Sequence, residues 1–323
     1  MPVVDLPLEE LKTYSGTNPR PDDFNKYWEK ALDEMKSINP DIDIRESDFK
    51  APGVRCFDYF YTGVGEARIH ARYIRPEDSL TGEIAPAVVS FHGYTGNAGS
   101  WMSHLAWASA GYHVWAMDCR GQGGLSEDPG GVSGNTQHGH IIRGLSDLPE
   151  KLYYRQVFLD AAQLAGLAIE TEGVDPERVG ARGGSQGGGL TLACAALEPR
   201  IACLTPVFPF LTDYQRAWEL DLAKRAYVEL VEWFRRFDPM HERDNEVFTK
   251  LGYIDVQHLA ERIKGKVLMA SGLMDEVCPP SSQFAAFNKI TSPKALRIFP
   301  DFGHETLPGF DDIEFSFFQE SLG

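Results

Sequence analysis

The stretch Val179-Gly-Ala-Arg-Gly-Gly-Ser-Gln-Gly-Gly-Gly189 decides the fold of this chain. Its apolar start predicts a short strand, its glycines predict a tight turn, and the alanine- and leucine-rich residues up to about Leu197 predict a helix. Within it, Gly183-Gly184-Ser185-Gln186-Gly187 matches the pattern G-x-S-x-G. A turn this sharp strains the serine backbone and leaves no space for side chains beside it, so glycines are expected at the flanking positions.

The predicted turn gives Ser185 a chemical role, because G-x-S-x-G between a strand and a helix is the nucleophile elbow of α/β-hydrolases. The turn lifts the serine hydroxyl clear of the sheet and aims the N–H of Gln186 at the point where an oxyanion forms. The alternative is a glycine-rich turn that contains a serine by chance. The motif therefore needs an acid and then a histidine later in the chain.

Composition excludes several classes of protein. The chain has 323 residues, of which 43% are hydrophobic and 24% charged, and its net charge is −16. So acidic a chain is not expected to bind nucleic acid or an anionic membrane. The acidic N-terminus lacks a signal-peptide pattern, and no apolar run is long enough to span a membrane. Five scattered cysteines predict reduced thiols and a cytoplasmic protein: Cys56, Cys119, Cys194, Cys203 and Cys278.

Apolar runs alternate with helical patterns along the chain, which predicts one α/β domain over residues 1–323 with a mostly parallel central sheet flanked by helices. Besides the elbow strand, the predicted strands are Val54–Thr62, Ala67–Arg75, Ala85–Phe91, Tyr112–Met117, Ile201–Val207, Lys266–Ser271 and Ala295–Phe299, of which the first two form a hairpin. Besides the elbow helix, the predicted helices are Pro21–Lys36, Ser103–Gly111, Pro149–Glu170, Leu220–Phe237, Ser281–Ile290 and Asp311–Ser321.

Three segments lie outside this alternation. Residues 1–50 are expected to form an N-terminal helical extension, and about 208–256 a helical cap inserted over the active site, although a long crossover helix is the alternative. The glycine-rich segment Ser126–Asp147 has no periodicity, and a loop of this length is usually functional or an interface. Its His138 and His140 lack a clear acidic or cysteine partner, so no metal site is expected.

The required acid and base follow predicted strands. Asp275 comes just after Lys266–Ser271, with Glu276 as its rival, and a carboxylate there would orient an imidazole. His304 follows the last strand and is the histidine that lies after Asp275 in such a position. His92 is interpreted as structural, and the N–H of Tyr94 after it is nominated for the oxyanion hole. Cys278 lies near the acid but is interpreted as a packing residue.

The chain resembles the acetyl xylan esterases and cephalosporin C deacetylases, carbohydrate esterase family seven. Three motifs carry the resemblance, namely Arg120-Gly121-Gln122 (RGQ), Gly183-Gly184-Ser185-Gln186-Gly187 (G-x-S-Q-G) and His304-Glu305 (HE). It extends over nearly the whole chain, including the N-terminal helix, Tyr153-Tyr154-Arg155 and Phe234-Arg235-Arg236. The segment Ser126–His140 departs from the family in its extra glycines and two histidines.

The resemblance implies a triad of Ser185, Asp275 and His304 and an oxyanion hole of the Tyr94 and Gln186 N–H groups. It implies hydrolysis of small acetyl esters of sugars, and of cephalosporin C, without metal or organic cofactor. It also implies a ring-shaped hexamer, a trimer of dimers, whose active sites face an inner cavity. A serine peptidase of the same fold and a catalytically silent binding module are the alternatives.

Overall fold

A computed structural model describes residues 4–77, 84–129, 134–220 and 227–323. Within these ranges, nine strands form one sheet in the order β1-β2-β3-β5-β4-β6-β7-β8-β9. The strands are β1 Asp43–Glu46, β2 Val54–Thr62, β3 Arg68–Pro76, β4 Ala85–Phe91, β5 His113–Met117, β6 Val174–Gly184, β7 Cys203–Val207, β8 Lys266–Gly272 and β9 Lys294–Phe299.

The sheet has a parallel part and an antiparallel edge. Strands β5, β4, β6, β7, β8 and β9 are parallel to one another. Strands β1, β2 and β3 are antiparallel, and β2 pairs with β3 from Val54 opposite Pro76 to Thr62 opposite Arg68, which confirms the predicted hairpin. Strand β1 was not predicted from the sequence; its four residues are one isoleucine and three charged residues, and they are mostly exposed.

Helices cover both faces of the sheet. They are α1 Leu8–Leu11, α2 Phe24–Lys36, α3 Leu105–Ser109, α4 Tyr153–Ile169, α5 Gln186–Leu197, α6 Tyr214–Glu219, α7 Val228–Phe237, α8 Asp244–Leu251, α9 Pro280–Lys289 and α10 Phe310–Leu322. Val88 of β4 packs in a cluster with Trp107 of α3 and Phe318 of α10. Its neighbour Val89 packs in the cluster that contains Leu159 of α4. Alternate residues of a strand thus enter opposite cores, which confirms the predicted layered architecture.

Residues 4–50 contact α4 and the segment between β7 and β8, among other elements. The Trp28 ring of α2 stacks on Phe158 of α4 with centroids 6.0 Å apart. The Trp28 indole N–H donates to the Tyr253 carbonyl at 3.0 Å. Further along, the buried Asp213 carboxylate accepts the Tyr14 hydroxyl at 2.8 Å. The description of residues 1–50 as an extension stays a prediction.

The segment between β7 and β8 is helical, as expected. Its longest helix, α7, begins at Val228 rather than at the predicted Leu220, and residues 221–226 of that prediction lie outside the described residues. Leu230, Trp233 and Phe234 of α7 are buried, so one face of the helix packs inward. Whether the segment acts as a cap stays a prediction.

Two findings bear on the expected environment of the protein. All five cysteines are free and buried, which confirms the prediction of core thiols. Among the described residues, no helix has both the length and the apolar character needed to cross a membrane.

Candidate active site

The elbow has the predicted backbone. Ser185 lies between the end of β6 and the start of α5 with φ 59° and ψ −121°, a conformation that favours glycine. A Cβ at Gly183 would lie 2.6 Å from the Gly187 carbonyl oxygen, and one at Gly187 would lie 2.1 Å from the carbonyl oxygen of Phe91. Both positions therefore require glycine, because β4 and α5 pass too close for any side chain.

The structure brings the three predicted residues together. His304 Nε2 lies 2.9 Å from Ser185 Oγ, and His304 Nδ1 lies 2.8 Å from Asp275 Oδ2. Ser185, Asp275 and His304 follow β6, β8 and β9, whose parallel alignment puts their carboxyl ends at one edge of the sheet. With Asp275 ionised, Nδ1 carries the imidazole proton, and Nε2 is left to accept from the serine hydroxyl.

The Asp275 carboxylate is held in one orientation. Its Oδ1 accepts the N–H groups of Val277 and Cys278, each at 2.8 Å. Its Oδ2, which faces His304, also receives the Gln283 side-chain amide at 3.3 Å. Asp275 is fully buried. The carboxylate that contacts the imidazole is therefore that of Asp275, and the loop backbone fixes which of its oxygens does so.

Cys278 lies close enough to this group to be considered as a metal ligand. Among the described residues, ligand atoms of Asp275, Cys278 and His304 lie within 4.8 Å of one another. Asp275 and His304 already hydrogen-bond to each other, and His304 also bonds to Ser185. Burial, followed by the charge of Asp275, raises the pKa of the Cys278 thiol well above its usual value. A protonated thiol is a poor ligand, so this cluster carries no metal assignment.

The loop after β4 is held by His92. Its Nε2 accepts the Cys119 N–H at 3.0 Å, and its Nδ1 donates to the Gly93 carbonyl at 2.7 Å. Burial lowers the pKa of His92, so the ring is neutral. These contacts agree with the structural interpretation of His92. They tie the end of β5 to the loop that carries Tyr94, the predicted oxyanion donor.

Gln122 of the RGQ motif links this loop to the elbow helix. Its Oε1 accepts the Thr95 N–H at 2.9 Å, and its Nε2 donates to Gln186 Oε1 at 2.8 Å. Tyr154 also donates its hydroxyl to Gln186 Oε1, at 2.8 Å. In the part of the chain that the structure describes, the N–H groups of Tyr94 and Gln186 bond to no acceptor. Two free donors thus flank a rigid amide network.

Arg120 and Gly121 are the other two residues of the RGQ motif, and Arg120 lies in the protein interior. Arg120 donates to the Asp160 carboxylate of α4 through Nε at 2.7 Å and Nη2 at 2.6 Å. Both side chains are buried, and the Arg120 carbonyl accepts the Tyr153 hydroxyl at 2.6 Å. Gly121 has φ 65°, which a turn between Arg120 and Gln122 demands. The motif therefore anchors the loop after β5 on α4.

Glu305 and Phe208 support the base. The Glu305 carboxylate accepts the Gly303 N–H at 3.1 Å, which closes the turn that presents His304. The Phe208 ring lies against the imidazole with centroids 4.5 Å apart. This contact of Phe208 was not predicted from the sequence. Its position directly after β7, beside the elbow strand, was the signal available.

A buried glutamate of α7 was also missed. Glu229 is fully buried and accepts the Tyr94 hydroxyl, the Gly139 N–H at 2.8 Å and the Ile141 N–H at 2.8 Å. Burial raises the pKa of Glu229 to about 7. A glutamate among the apolar positions of an amphipathic helix was the only sequence signal for this contact.

The two histidines of the glycine-rich segment differ in exposure and in contacts. His138 is half-exposed, and its Nε2 lies 2.8 Å from Glu232 Oε2 on α7. His140 is buried against Tyr153 with ring centroids 4.8 Å apart. Burial lowers the pKa of His140 to about 4. Residues 130–133 of this segment lie outside the described residues.

The fold and the Ser–His–Asp geometry together define an α/β-hydrolase. The family description "Acetyl xylan esterase (AXE1)" matches residues 1–322. The chain therefore belongs to the acetyl xylan esterase family and is a carboxylic ester hydrolase, which confirms the resemblance drawn from the RGQ, G-x-S-Q-G and HE motifs.

Several known proteins are similar to the chain. The crystal structure of acetyl xylan esterase 1 from Thermoanaerobacterium sp. JW/SL YS485 is 55% identical, with 99% of this chain and 100% of that chain covered and a TM-score of 0.95. An acetyl xylan esterase from Paenibacillus sp. R4 is 36% identical, with 98% and 100% covered and a TM-score of 0.90. Acetyl esterase Axe7A of Xylanibacter ruminicola is 26% identical over 307 residues, which are 92% of this chain and 66% of that protein. The chain thus spans just under two thirds of the length of this last relative.

Proposed function

We propose that the chain removes short acyl groups, chiefly acetyl, from carbohydrate hydroxyls through an acyl-enzyme on Ser185. The observation that carries this proposal is the hydrogen-bonded chain from Ser185 Oγ through His304 to Asp275, with distances of 2.9 and 2.8 Å. A serine is a weak nucleophile unless an oriented base takes its proton. Here the base lies within bonding distance of the hydroxyl, and its orientation is set by a buried carboxylate.

The first half of the reaction forms the acyl-enzyme. His304 Nε2 takes the hydroxyl proton while Ser185 Oγ attacks the ester carbonyl carbon, and the imidazolium is stabilised by Asp275. The carbonyl oxygen becomes an oxyanion that accepts the N–H groups of Tyr94 and Gln186, each worth about 3 kcal/mol in such sites. His304 then gives its proton to the leaving sugar oxygen, and the carbon–oxygen bond of the ester breaks.

The second half releases the acid. A water molecule enters where the alcohol left, and His304 takes its proton as the oxygen attacks the acyl carbonyl. The same N–H groups hold the second oxyanion. When the tetrahedral intermediate collapses, His304 returns the proton to Ser185 Oγ and acetate departs. No step of this sequence uses a metal or organic cofactor.

The substrate is proposed from the relatives and from charge. Two similar structures are acetyl xylan esterases by name, which supports acetylated xylo-oligosaccharides as substrates. Cephalosporin C is proposed as a further ester from the motif resemblance alone. Sugar esters are neutral, so the net charge of −16 does not oppose their binding. We also propose a cytoplasmic hexamer, a trimer of dimers. The five free buried thiols fit a reducing compartment.

Ser185→Ala tests the proposal. The variant should retain at most the residual activity of the oxyanion hole, about 10³-fold or more below the wild-type chain on p-nitrophenyl acetate. A serine-reactive phosphonate should label the wild-type chain and not the variant. A catalytically silent binding module would not be labelled, and a peptidase would prefer peptide to acetyl-sugar substrates in a panel. Full turnover by Ser185→Ala would refute the assignment.

A further inference from the structure

The proposed mechanism gives no role to the Glu229 carboxylate, although this group accepts the hydroxyl of Tyr94, whose N–H is the proposed oxyanion donor. Glu229 belongs to α7, in the segment between β7 and β8, and is fully buried. Burying a carboxylate is costly unless hydrogen-bond donors surround it. The partners of this buried carboxylate therefore indicate what it does in the folded chain.

Three donors from two loops converge on this carboxylate. Oε1 accepts the Tyr94 hydroxyl and the Gly139 N–H, the latter at 2.8 Å. Oε2 accepts the Ile141 N–H at 2.8 Å. Both carboxylate oxygens thus accept hydrogen bonds. Oε1 accepts from Tyr94 and from the glycine-rich segment, and Oε2 accepts from that segment. Glu229 joins α7, the loop after β4 and that segment at one point.

Tyr94 is consequently held on two sides. Its hydroxyl is fixed by Glu229, and its ring lies edge-on to Phe210 with centroids 5.8 Å apart. The next residue, Thr95, has its N–H fixed by Gln122 at 2.9 Å. The Tyr94 N–H, which has no acceptor among the described residues, lies between these two attachments. A donor held in this way is preorganised for a developing charge.

We infer that Glu229 is a positioning residue for the oxyanion hole, which holds the Tyr94 N–H in place through the Tyr94 hydroxyl and couples it to the glycine-rich segment. This inference rests on the proposed function. It also gives the backbone of that segment a role, because the Gly139 and Ile141 N–H groups donate to the same carboxylate. The contribution of Glu229 then appears in kcat, since the oxyanion forms only in the transition state.

The test compares Glu229→Gln, Tyr94→Phe and the double variant. An amide has one acceptor oxygen, so Glu229→Gln either turns its NH2 group towards the Tyr94 hydroxyl and the Gly139 N–H, or keeps the Tyr94 contact and leaves the Ile141 N–H facing the NH2 group. Tyr94→Phe removes the same attachment from the other end and keeps the backbone N–H. Glu232→Gln is the matched control, because Glu232 lies on α7, is 40% exposed and contacts His138 of the same segment.

We expect Glu229→Gln and Tyr94→Phe each to lower kcat on p-nitrophenyl acetate about 10- to 100-fold, with KM within about twofold. The double variant should be no worse than the more damaged single variant, since both remove one attachment. Glu232→Gln should stay within about twofold of the wild-type kcat. Circular dichroism and thermal unfolding establish that each variant is folded, and Tyr94→Phe decides the question if Glu229→Gln does not fold.

Three results would overturn the inference. They are wild-type kcat in folded Tyr94→Phe, fully additive losses in the double variant, and an equal loss in Glu232→Gln. A failure of the proposed function is recognised separately. In that case Ser185→Ala keeps its activity and the phosphonate does not label the wild-type chain.

Discussion

Asp275→Asn is the substitution whose consequence follows most directly from the geometry of the site. Oδ1 of Asp275 accepts two backbone N–H groups at 2.8 Å, from Val277 and Cys278. An asparagine NH2 at that position would face two donors, and each unsatisfied buried donor costs about 1–3 kcal/mol. The amide oxygen therefore stays with the backbone, and the NH2 group turns towards His304.

The size of the expected loss in kcat follows from the imidazole tautomer. Facing an NH2 group, His304 Nδ1 must accept, so the ring proton moves to Nε2, the atom that lies 2.9 Å from Ser185 Oγ. A protonated Nε2 cannot take the serine proton. Loss of the correct tautomer at such a site lowers kcat about 10⁴-fold, which is about 5 kcal/mol of transition-state stabilisation. The fold should change little, because the amide matches the carboxylate in shape.

The assay is kcat/KM for p-nitrophenyl acetate, with the rate of phosphonate labelling as a second measure of serine reactivity. Glu276→Gln is the matched control, because it makes the same chemical change at the neighbouring acid, and it should stay close to the wild-type rate. A folded Asp275→Asn variant within about tenfold of the wild-type kcat/KM would refute the tautomer argument. An equal loss in Glu276→Gln would refute the choice of acid.

Two predictions concern stability. Arg120→Met should lower the free energy of unfolding by about 3–5 kcal/mol in urea titrations, because it leaves the buried Asp160 carboxylate without its bidentate partner; a loss below about 1 kcal/mol would show that the pair is not needed. Burial raises the pKa of Asp255 to about 7. Protonation of this carboxyl therefore contributes fully to the free energy of unfolding below about pH 4, and this contribution is lost as the pH rises through about 7. The stability of the wild-type chain relative to Asp255→Asn should therefore be lower at pH 8 than at pH 5, and an unchanged difference would contradict the prediction.

The elbow and the proposed triad were accessible from the sequence because each motif lies directly after a strand. Ser185, Asp275 and His304 each follow a run that is predicted as a strand, and parallel strands deliver the residues that follow them to one edge of the sheet. The requirement for glycine at Gly187 was likewise local, since it depends on a turn whose shape the motif specifies. Such features need no knowledge of distant contacts.

Other features depend on contacts between distant parts of the chain. The Tyr94 hydroxyl meets Glu229 across 135 residues, and no pattern around either residue indicates the other. Phe208 follows β7 and contacts His304, which follows β9, and no motif indicates this contact. Strand β1 was missed because its side chains are mostly exposed and its existence depends on the hydrogen bonds offered by β2.

The backbone of Ser185 has a consequence for directed evolution. Its φ of 59° and ψ of −121° suit glycine, and an L-residue held there costs on the order of 1–3 kcal/mol. A Ser185→Gly variant relieves that cost and loses the nucleophile. Variant libraries selected only for thermal stability would therefore enrich inactive variants substituted at residue 185. Selection of this enzyme for thermal stability has to be paired with an activity screen.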